Sequence, residues 1–372
     1  MRIMSLTSLL LPNLTLAFAP TSPRSEESKA WKVTGFIDAY HGWSGPRQGR
    51  GLTRAGRQFD PRNEEGRLAA AQLNITYTDP SGRFGATLSP WAGDSANLLF
   101  LTEPSDSKLA KHLAQAYLTF TDPKNGLSVD LGKFYSWIGF EGAESMGDDL
   151  YSRGLLYTLA QPVYHLGARV NKQIDAKWGA SAYLTNGWNQ VERDGGGLTG
   201  GFQIRYAPDA KTSAALGVIS GPEGGYTANR VGSFGGIGYS STGTSQTDLV
   251  DFIVSHQATD KLKLALNGDY ASARGNGKSG NWSGFALIAR YQHDSKLGFG
   301  ARLELVRDDG GLRIGTNGTV NAFALGVDYW AHAQVLLRAE YRQDWSSVAL
   351  FGSTTGPRKN QGTFTLAIGV KF

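Results

Sequence analysis

The last nine residues limit what this chain can fold into. Phe364, Leu366, Ile368, Val370 and Phe372 are apolar, and Thr365, Ala367, Gly369 and Lys371 between them are small or polar. Successive side chains of a strand point to opposite faces, so this spacing makes one continuously apolar face. The same period of two returns over 297–305, 323–329, 262–266, 127–131 and 73–77. Beyond residue 20, no stretch reaches the roughly 18 to 20 consecutive apolar residues of a membrane-spanning helix.

A water-soluble sandwich would alternate too. The connections separate the two cases. There are seven short turns, at 79–82, 122–126, 175–177, 208–211, 259–261, 294–296 and 331–334; the first six carry Asp with Pro, Asn, Gly or Lys, and the last is Ala331, His332, Ala333, Gln334. Asp, Pro, Asn and Gly are ordinary turn residues. Between them lie segments rich in Gly, Ser and charge, at 44–66, 93–111, 135–160, 189–198, 220–246, 274–281, 308–318 and 346–361. Short turns at one end and long loops at the other are the pattern of a membrane barrel, and a sandwich has no reason for it. The expected fold is all-β: a closed antiparallel transmembrane barrel of about 16 strands, or about 14 if the blurred first or eighth strand is misread. Closure removes the unpaired edges that lipid cannot satisfy. Trp31, Trp43, Trp178, Trp188, Trp282, Tyr329, Trp330, Trp345 and Phe372 sit near strand ends, which predicts two interfacial aromatic girdles.

Composition excludes other classes. The chain has no Cys, so it has neither disulfides nor a thiolate metal site. Its net charge of +5 over 372 residues is too mild and dispersed for a nucleic-acid surface. The six histidines show no metal-ligand spacing, no nucleophile-elbow motif occurs, and no cofactor site is visible. Asp148 and Asp149 form a lone acidic pair, which reads as a solvated loop before it reads as a calcium site. We therefore expect a non-enzyme without metal.

Arg2, the apolar run 3–16 and the sequence Ala17, Phe18, Ala19 read as a signal peptide over 1–19. A flexible segment over 20–30 and a single barrel domain over 31–372 complete the expected organisation.

Within the barrel, Gly132 to Phe134, Ile138 to Glu141, Tyr151 to Leu156, Pro162 to Arg169 and Asn186 to Asn189 resemble the OmpL-like family of outer-membrane β-barrel porins. The segment Arg57 to Asp60, followed by the strand over 68–77, is similar as well. The likeness is strongest over 31–225 and implies pore activity in the bacterial outer membrane without naming a solute. The terminal aromatic also resembles the assembly signal of outer-membrane barrels. Phe364, Leu366, Ile368, Val370 and Phe372 would then be read by the barrel-assembly machinery, with lipid and lipopolysaccharide outside the wall.

With the apolar faces toward lipid, Arg169, Arg205, Arg290, Arg302, Arg338 and Arg342 point inward. Asp38, Asp130, Asp251, Asp269, Asp328, Glu304 and Glu340 do so too, joined by Lys32 and Lys263. A charge on the lipid side would cost about 2–4 kcal/mol at the midplane, which supports these registers. A polar lumen of this width reads as a water-filled channel for passive diffusion of small hydrophilic solutes or ions. The alternatives are a closed or plugged structural or adhesion barrel and, further off, an outer-membrane enzyme built around a residue such as His165. Glu141, Glu144, Asp148 and Asp149 in the 135–160 segment would form an acidic constriction opposite wall arginines, or else a rim loop. The first loop reads as an ordinary exposed charged loop carrying Arg47, Arg50, Arg54, Arg57 and Arg62. Balanced lumen charge leaves ion preference open, and a homotrimer is expected only by analogy with general porins.

Overall fold

The computed structural model describes residues 30–45, 54, 56–57, 59–100, 111–193, 197–223, 245–275, 278–352 and 356–372. The signal-peptide reading and Arg47 and Arg50 lie outside these residues.

Sixteen antiparallel strands close into one barrel. In chain order they begin with β1 (Trp31–Ser44), β2 (Gly66–Thr78), β3 (Phe84–Ala92), β4 (Leu113–Asp122) and β5 (Leu127–Tyr135). Next come β6 (Tyr164–Gln173), β7 (Trp178–Thr185), β8 (Thr199–Tyr206), β9 (Thr212–Glu223) and β10 (Ser245–Gln257). The last six are β11 (Leu262–Gly275), β12 (Lys278–Gln292), β13 (Leu297–Asp309), β14 (Gly318–His332), β15 (Val335–Ser346) and β16 (Asn360–Lys371). A short helix, α1 (Asp94–Phe100), follows β3. Closure is made by β1 on β16, with Phe36 opposite Lys371 and Trp43 opposite Phe364.

Both strands with blurred alternation are present. The register of β1 against β2 shifts between Asp38 and Ala39, which interrupts the period of two. β8 is only eight residues long and carries Gly200 and Gly201, which give the alternation little to show.

All seven predicted turns join strand pairs. In five of them an aspartate accepts from backbone N–H groups that the turn would otherwise leave unpaired, Asp122 from Lys124 N at 3.1 Å. Asp79 accepts from Phe84 N at 2.7 Å, Asp175 from Lys177 N at 2.7 Å, Asp209 from Lys211 N at 2.8 Å and Asp294 from Lys296 N at 2.7 Å. The loops at the other end are numbered L1 to L8 in chain order. The predicted long loop at 274–281 is a correction: β11 runs to Gly275 and β12 starts at Lys278, with two residues between them. The polar strand extensions there read as loop because they have no lipid face to alternate against.

The outward face carries the predicted apolar residues: Leu264, Leu303, Leu325, Phe364, Leu366, Ile368 and Phe372 are all exposed on the isolated chain. At the turn end, Trp31 packs 4.8 Å from Tyr77, Phe84 5.6 Å from Phe120, and Trp178 4.3 Å from Tyr206, forming one girdle. Trp188 and Trp282 do not belong to a girdle. They are buried inside the barrel, edge to face at 6.1 Å, with the Arg313 guanidinium over both rings. Trp282 shares the inward parity of Arg290 on β12, and that parity decides its side.

The interior is not uniformly polar. Ile219, Leu249, Ile288, Val306 and Val320 point inward into an apolar cluster with Leu155, Leu156, Leu159, Leu312, Ile314 and Phe351 from the loops. One side of the barrel is packed as a soluble protein core is packed.

Candidate functional site: the third loop and the lumen

L3 (136–163) leaves β5, enters the barrel and returns to β6. Its first turn is held by Ser136 N donating to Val163 O at 2.9 Å. Trp137 stacks flat on Tyr183 of β7 at 3.6 Å, and Gln203 of β8 donates to its carbonyl at 2.8 Å. Phe140 N then donates to Asn267 of β11 at 3.1 Å.

The predicted acidic residues follow. Glu141 meets Arg302 of β13 at 2.6 Å, and Arg302 also binds Glu304 at 2.7 Å. Glu144 accepts from Gln72 of β2 at 2.5 Å. Asp148 pairs with Arg153 within the loop at 3.2 Å, and Asp149 with Lys263 of β11 at 2.7 Å. These ion pairs are in contact, so they do not leave the separated charges of a transverse field. They also answer the calcium reading, because each aspartate already has a cation.

The inward-facing residues divide into two groups. Most hold the loop. Asp38 accepts from Ser145 Oγ at 2.5 Å. Arg338 donates to Ser145 O at 2.7 Å and Asp148 O at 2.6 Å while bound to Asp328 at 2.8 Å. Arg290 pairs with the same Asp328 at 2.6 Å. Glu340 accepts from Tyr151 N at 2.7 Å and Ser152 N at 3.0 Å. Arg342 donates to Arg153 O at 2.7 Å, and Glu304 accepts from Leu156 N at 3.2 Å. Asp251 and Asp269 face each other across β10 and β11 and are tied to Asn267 at 2.6 Å and Gln161 at 2.7 Å. All of these point inward as expected, but the loop covers them, so they do not form a bare wall. A buried charge costs several kcal/mol unless paired, which is why L3 and the wall carry matching groups.

The second group, Arg169, Arg205 and Asp130, lies on the other side. A cavity of about 650 Å³ runs between L3 and this wall, bordered by Lys32, Asn74, Gln115, Tyr117, Arg169 and Arg205 and by Glu141 and Glu144 of the loop. Asp130 stands behind Arg169, in contact at 2.8 Å.

Sequence reasoning missed the glycines. A β-carbon on Gly300 would lie 3.1 Å from Leu150 Cδ2, and one on Gly326 would lie 2.6 Å from it. Gly201 and Gly217 clear space for Trp137 and Ile138, Gly284 for Leu156 and Gly369 for Met146. Each sits at inward parity, so the signal was glycine on the charged face of a strand. L1 differs from expectation as well. Arg54 and Arg57 are buried, with Arg54 on Asp60 at 3.3 Å and Arg57 3.8 Å from Glu340, because L1 turns inward and covers L3. Desolvation there lowers the Arg57 guanidinium to about 10. Phe59, Trp91, Tyr157, Val163 and Tyr164 form an apolar cluster above the cavity.

His165 places Nε2 3.1 Å from Ser136 Oγ, but its Nδ1 faces the Gly187 carbonyl at 2.8 Å. A catalytic triad would need a carboxylate at that nitrogen.

Solved structures share this architecture. OmpT of Vibrio cholerae aligns at TM-score 0.61 and 12% identity over 93% of this chain and 99% of its own. The outer membrane channel DcaP of Acinetobacter baumannii gives 0.61 and 10%, again over 93% and 99%. An anion-selective porin from Comamonas acidovorans gives 0.59 and 11% over 92% and 99%. At such identities the likeness shows the fold alone. No curated protein matches the sequence. The family model described as "Putative beta-barrel porin-2, OmpL-like" matches residues 30–372. With sixteen closed strands, a loop folded into the lumen and that match along the whole barrel, the chain belongs to the OmpL-like β-barrel porins of the outer membrane.

Proposed function

We propose that this porin passes small hydrophilic solutes or ions by passive diffusion along the cavity between L3 and the β2–β8 wall. The observation that carries this reading is the cavity of about 650 Å³ on one side of L3, set against the packed apolar and ion-paired contacts on the other. In this reading L3 is the constriction. Arg169 and Arg205, with Lys32, meet solute, while Arg290, Arg302, Glu304, Arg338, Glu340, Arg342, Asp38, Asp251, Asp269 and Asp328 position the loop. The protein acts as a channel and not as an enzyme.

Residues 1–19 direct export and are cut off. Phe364, Leu366, Ile368, Val370 and Phe372 present the strand to the assembly machinery, and the apolar band meets lipid and lipopolysaccharide. A homotrimer is the proposed assembly, supported by a trimer form of OmpT among the fold relatives. Single-channel recording of the refolded barrel in a planar bilayer tests the pore, with stable open steps as the expected result.

The apolar cluster of Phe59, Trp91, Tyr157, Val163 and Tyr164 above the cavity favours a second reading, a barrel whose outer mouth is gated. Silence from the wild-type barrel, together with open steps from Phe59→Ala, would select it.

A further inference from the structure

The cavity wall and the loop opposite it carry different charge. The basic side chains bordering the cavity, Lys32, Arg169 and Arg205, come from three strands of the wall, and the two carboxylates there, Glu141 and Glu144, both come from L3. The two sides are not equally available to a solute. Glu141 is engaged twice, by Arg302 at 2.6 Å and by Gly154 N at 2.7 Å. Glu144 is hydrogen-bonded to Gln72, and burial holds its carboxyl above the ordinary range.

Arg169 is arranged the other way. Its Nε and Nη2 grip Asp130 at 2.8 Å on the far side from the cavity, and its plane rests 4.7 Å from the Phe134 ring. Asp130 also accepts from Thr119 at 2.7 Å and Asn171 at 3.1 Å, so its charge is spread over three donors. The guanidinium is therefore fixed by one edge and by the Phe134 and Tyr117 rings, the latter at 5.7 Å, and Nη1 is the nitrogen outside the Asp130 pair on a side chain that borders the cavity. A planar cation held that way receives a carboxylate without first ordering its own side chain. Lys32 lies at the turn end of β1 and is exposed, and no described acid pairs with it.

We propose that the cavity is an anion path with a carboxylate-binding point at Arg169, and that Lys32 draws anions into its lower end. This rests on the diffusion-channel reading above and adds the class of solute to it. Asp130 balances the charge of Arg169, so Lys32 and Arg205 supply the net attraction, Arg169 supplies the docking donor, and the engaged loop carboxylates contribute little opposing field.

The test has two arms. Reversal potential of the refolded barrel in a roughly tenfold KCl gradient reads ion preference, and the effect should weaken at high salt. Calorimetric titration with sodium succinate reads binding without requiring conduction. The expected results are a chloride preference and saturable succinate binding. In Arg169→Gln the preference should fall at least about twofold and binding should be lost. Lys32→Gln, at an exposed site that leaves packing intact, should move the preference the same way by less. Open steps with a potassium preference, or succinate binding unaffected by Arg169→Gln, overturn the anion assignment and leave the channel standing. Silence with Arg169-dependent binding overturns the channel and leaves the anion site standing. Silence with no binding overturns both.

Discussion

Leu150 Cδ2 lies 3.1 Å from where a β-carbon on Gly300 would sit, with the Asp149 carbonyl 2.5 Å from the same point. The backbone of L3 and the wall of β13 are therefore as close as glycine allows. Gly300→Val should leave the strands paired, since β13 still bonds to β12 and β14, but it should lift L3 off the wall. Overpacking of this kind costs about 1–3 kcal/mol. The expected outcome is a folded barrel with higher conductance and faster proteolysis within 136–163. Unchanged conductance and protection would show that L3 is not held by this contact.

Arg302 bridges Glu141 and Glu304 in a site with almost no solvent exposure. Arg302→Met leaves two buried carboxylates without their shared cation, a loss on the order of 3–5 kcal/mol. The heat-modifiability transition in detergent should fall accordingly. Arg302→Lys should recover only part of it, because an ammonium cannot hold both carboxylates in the same fork geometry.

The turn aspartates set a pH dependence. Asp294 is held below the usual carboxylate range by the N–H groups of Lys296 and Leu297, and Asp79 by the Ser81 hydroxyl and then Phe84 N–H. A depressed value means that the stabilisation is complete above the free-aspartate pKa of about 3.9 and is lost as pH falls through the lower, folded-state value. Asp294→Ala should therefore destabilise the barrel at neutral pH and make no difference in strong acid. Unfolding midpoints for both proteins across this range check it. An equal penalty at every pH would contradict the assignment.

Leu325 lies on the outward face of β14 and is 48% exposed on the isolated chain. Leu325→Arg should cost about 2–4 kcal/mol for folding into lipid vesicles if the residue sits near the midplane. Folding efficiency in vesicles, measured against the same variant in detergent, separates a lipid-facing residue from one that merely tolerates solvent.

The wall was legible in the sequence and its contents only in part: an inward 135–160 loop was one of two readings, and its anchors were not visible. A period of two against lipid leaves a strong trace, so Leu303 and Arg302 went to opposite sides from spacing alone, and turn chemistry at Asp79, Asp209 and Asp294 fixed the strand count. What fills the barrel obeys no period. Gly300 and Gly326 share the parity of Arg302 and Asp328, yet a missing side chain does not say what occupies its place. Trp282 looked like a girdle residue because a strand-end tryptophan reads the same on either side until its parity is followed back to Arg290. The buried arginines Arg54 and Arg57 carried no pattern at all, because loop charges read as solvated. The partners that bury them, Asp60, Glu340 and Thr363, include two that lie far along the chain.

The anchors of L3 also impose an order on assembly. Tyr151 is tied to Glu340 across 189 residues, and Glu141 to Arg302 across 161. Contacts that distant are late to form, because the intervening chain must first be brought round. L3 precedes all of β6–β16 in the chain, so Glu141, Tyr151 and Ser152 find their wall partners only once β13 to β15 are in place, while Asp148 and Arg153 already have each other. The channel thus acquires its final bore only after β13 to β15 stand opposite L3.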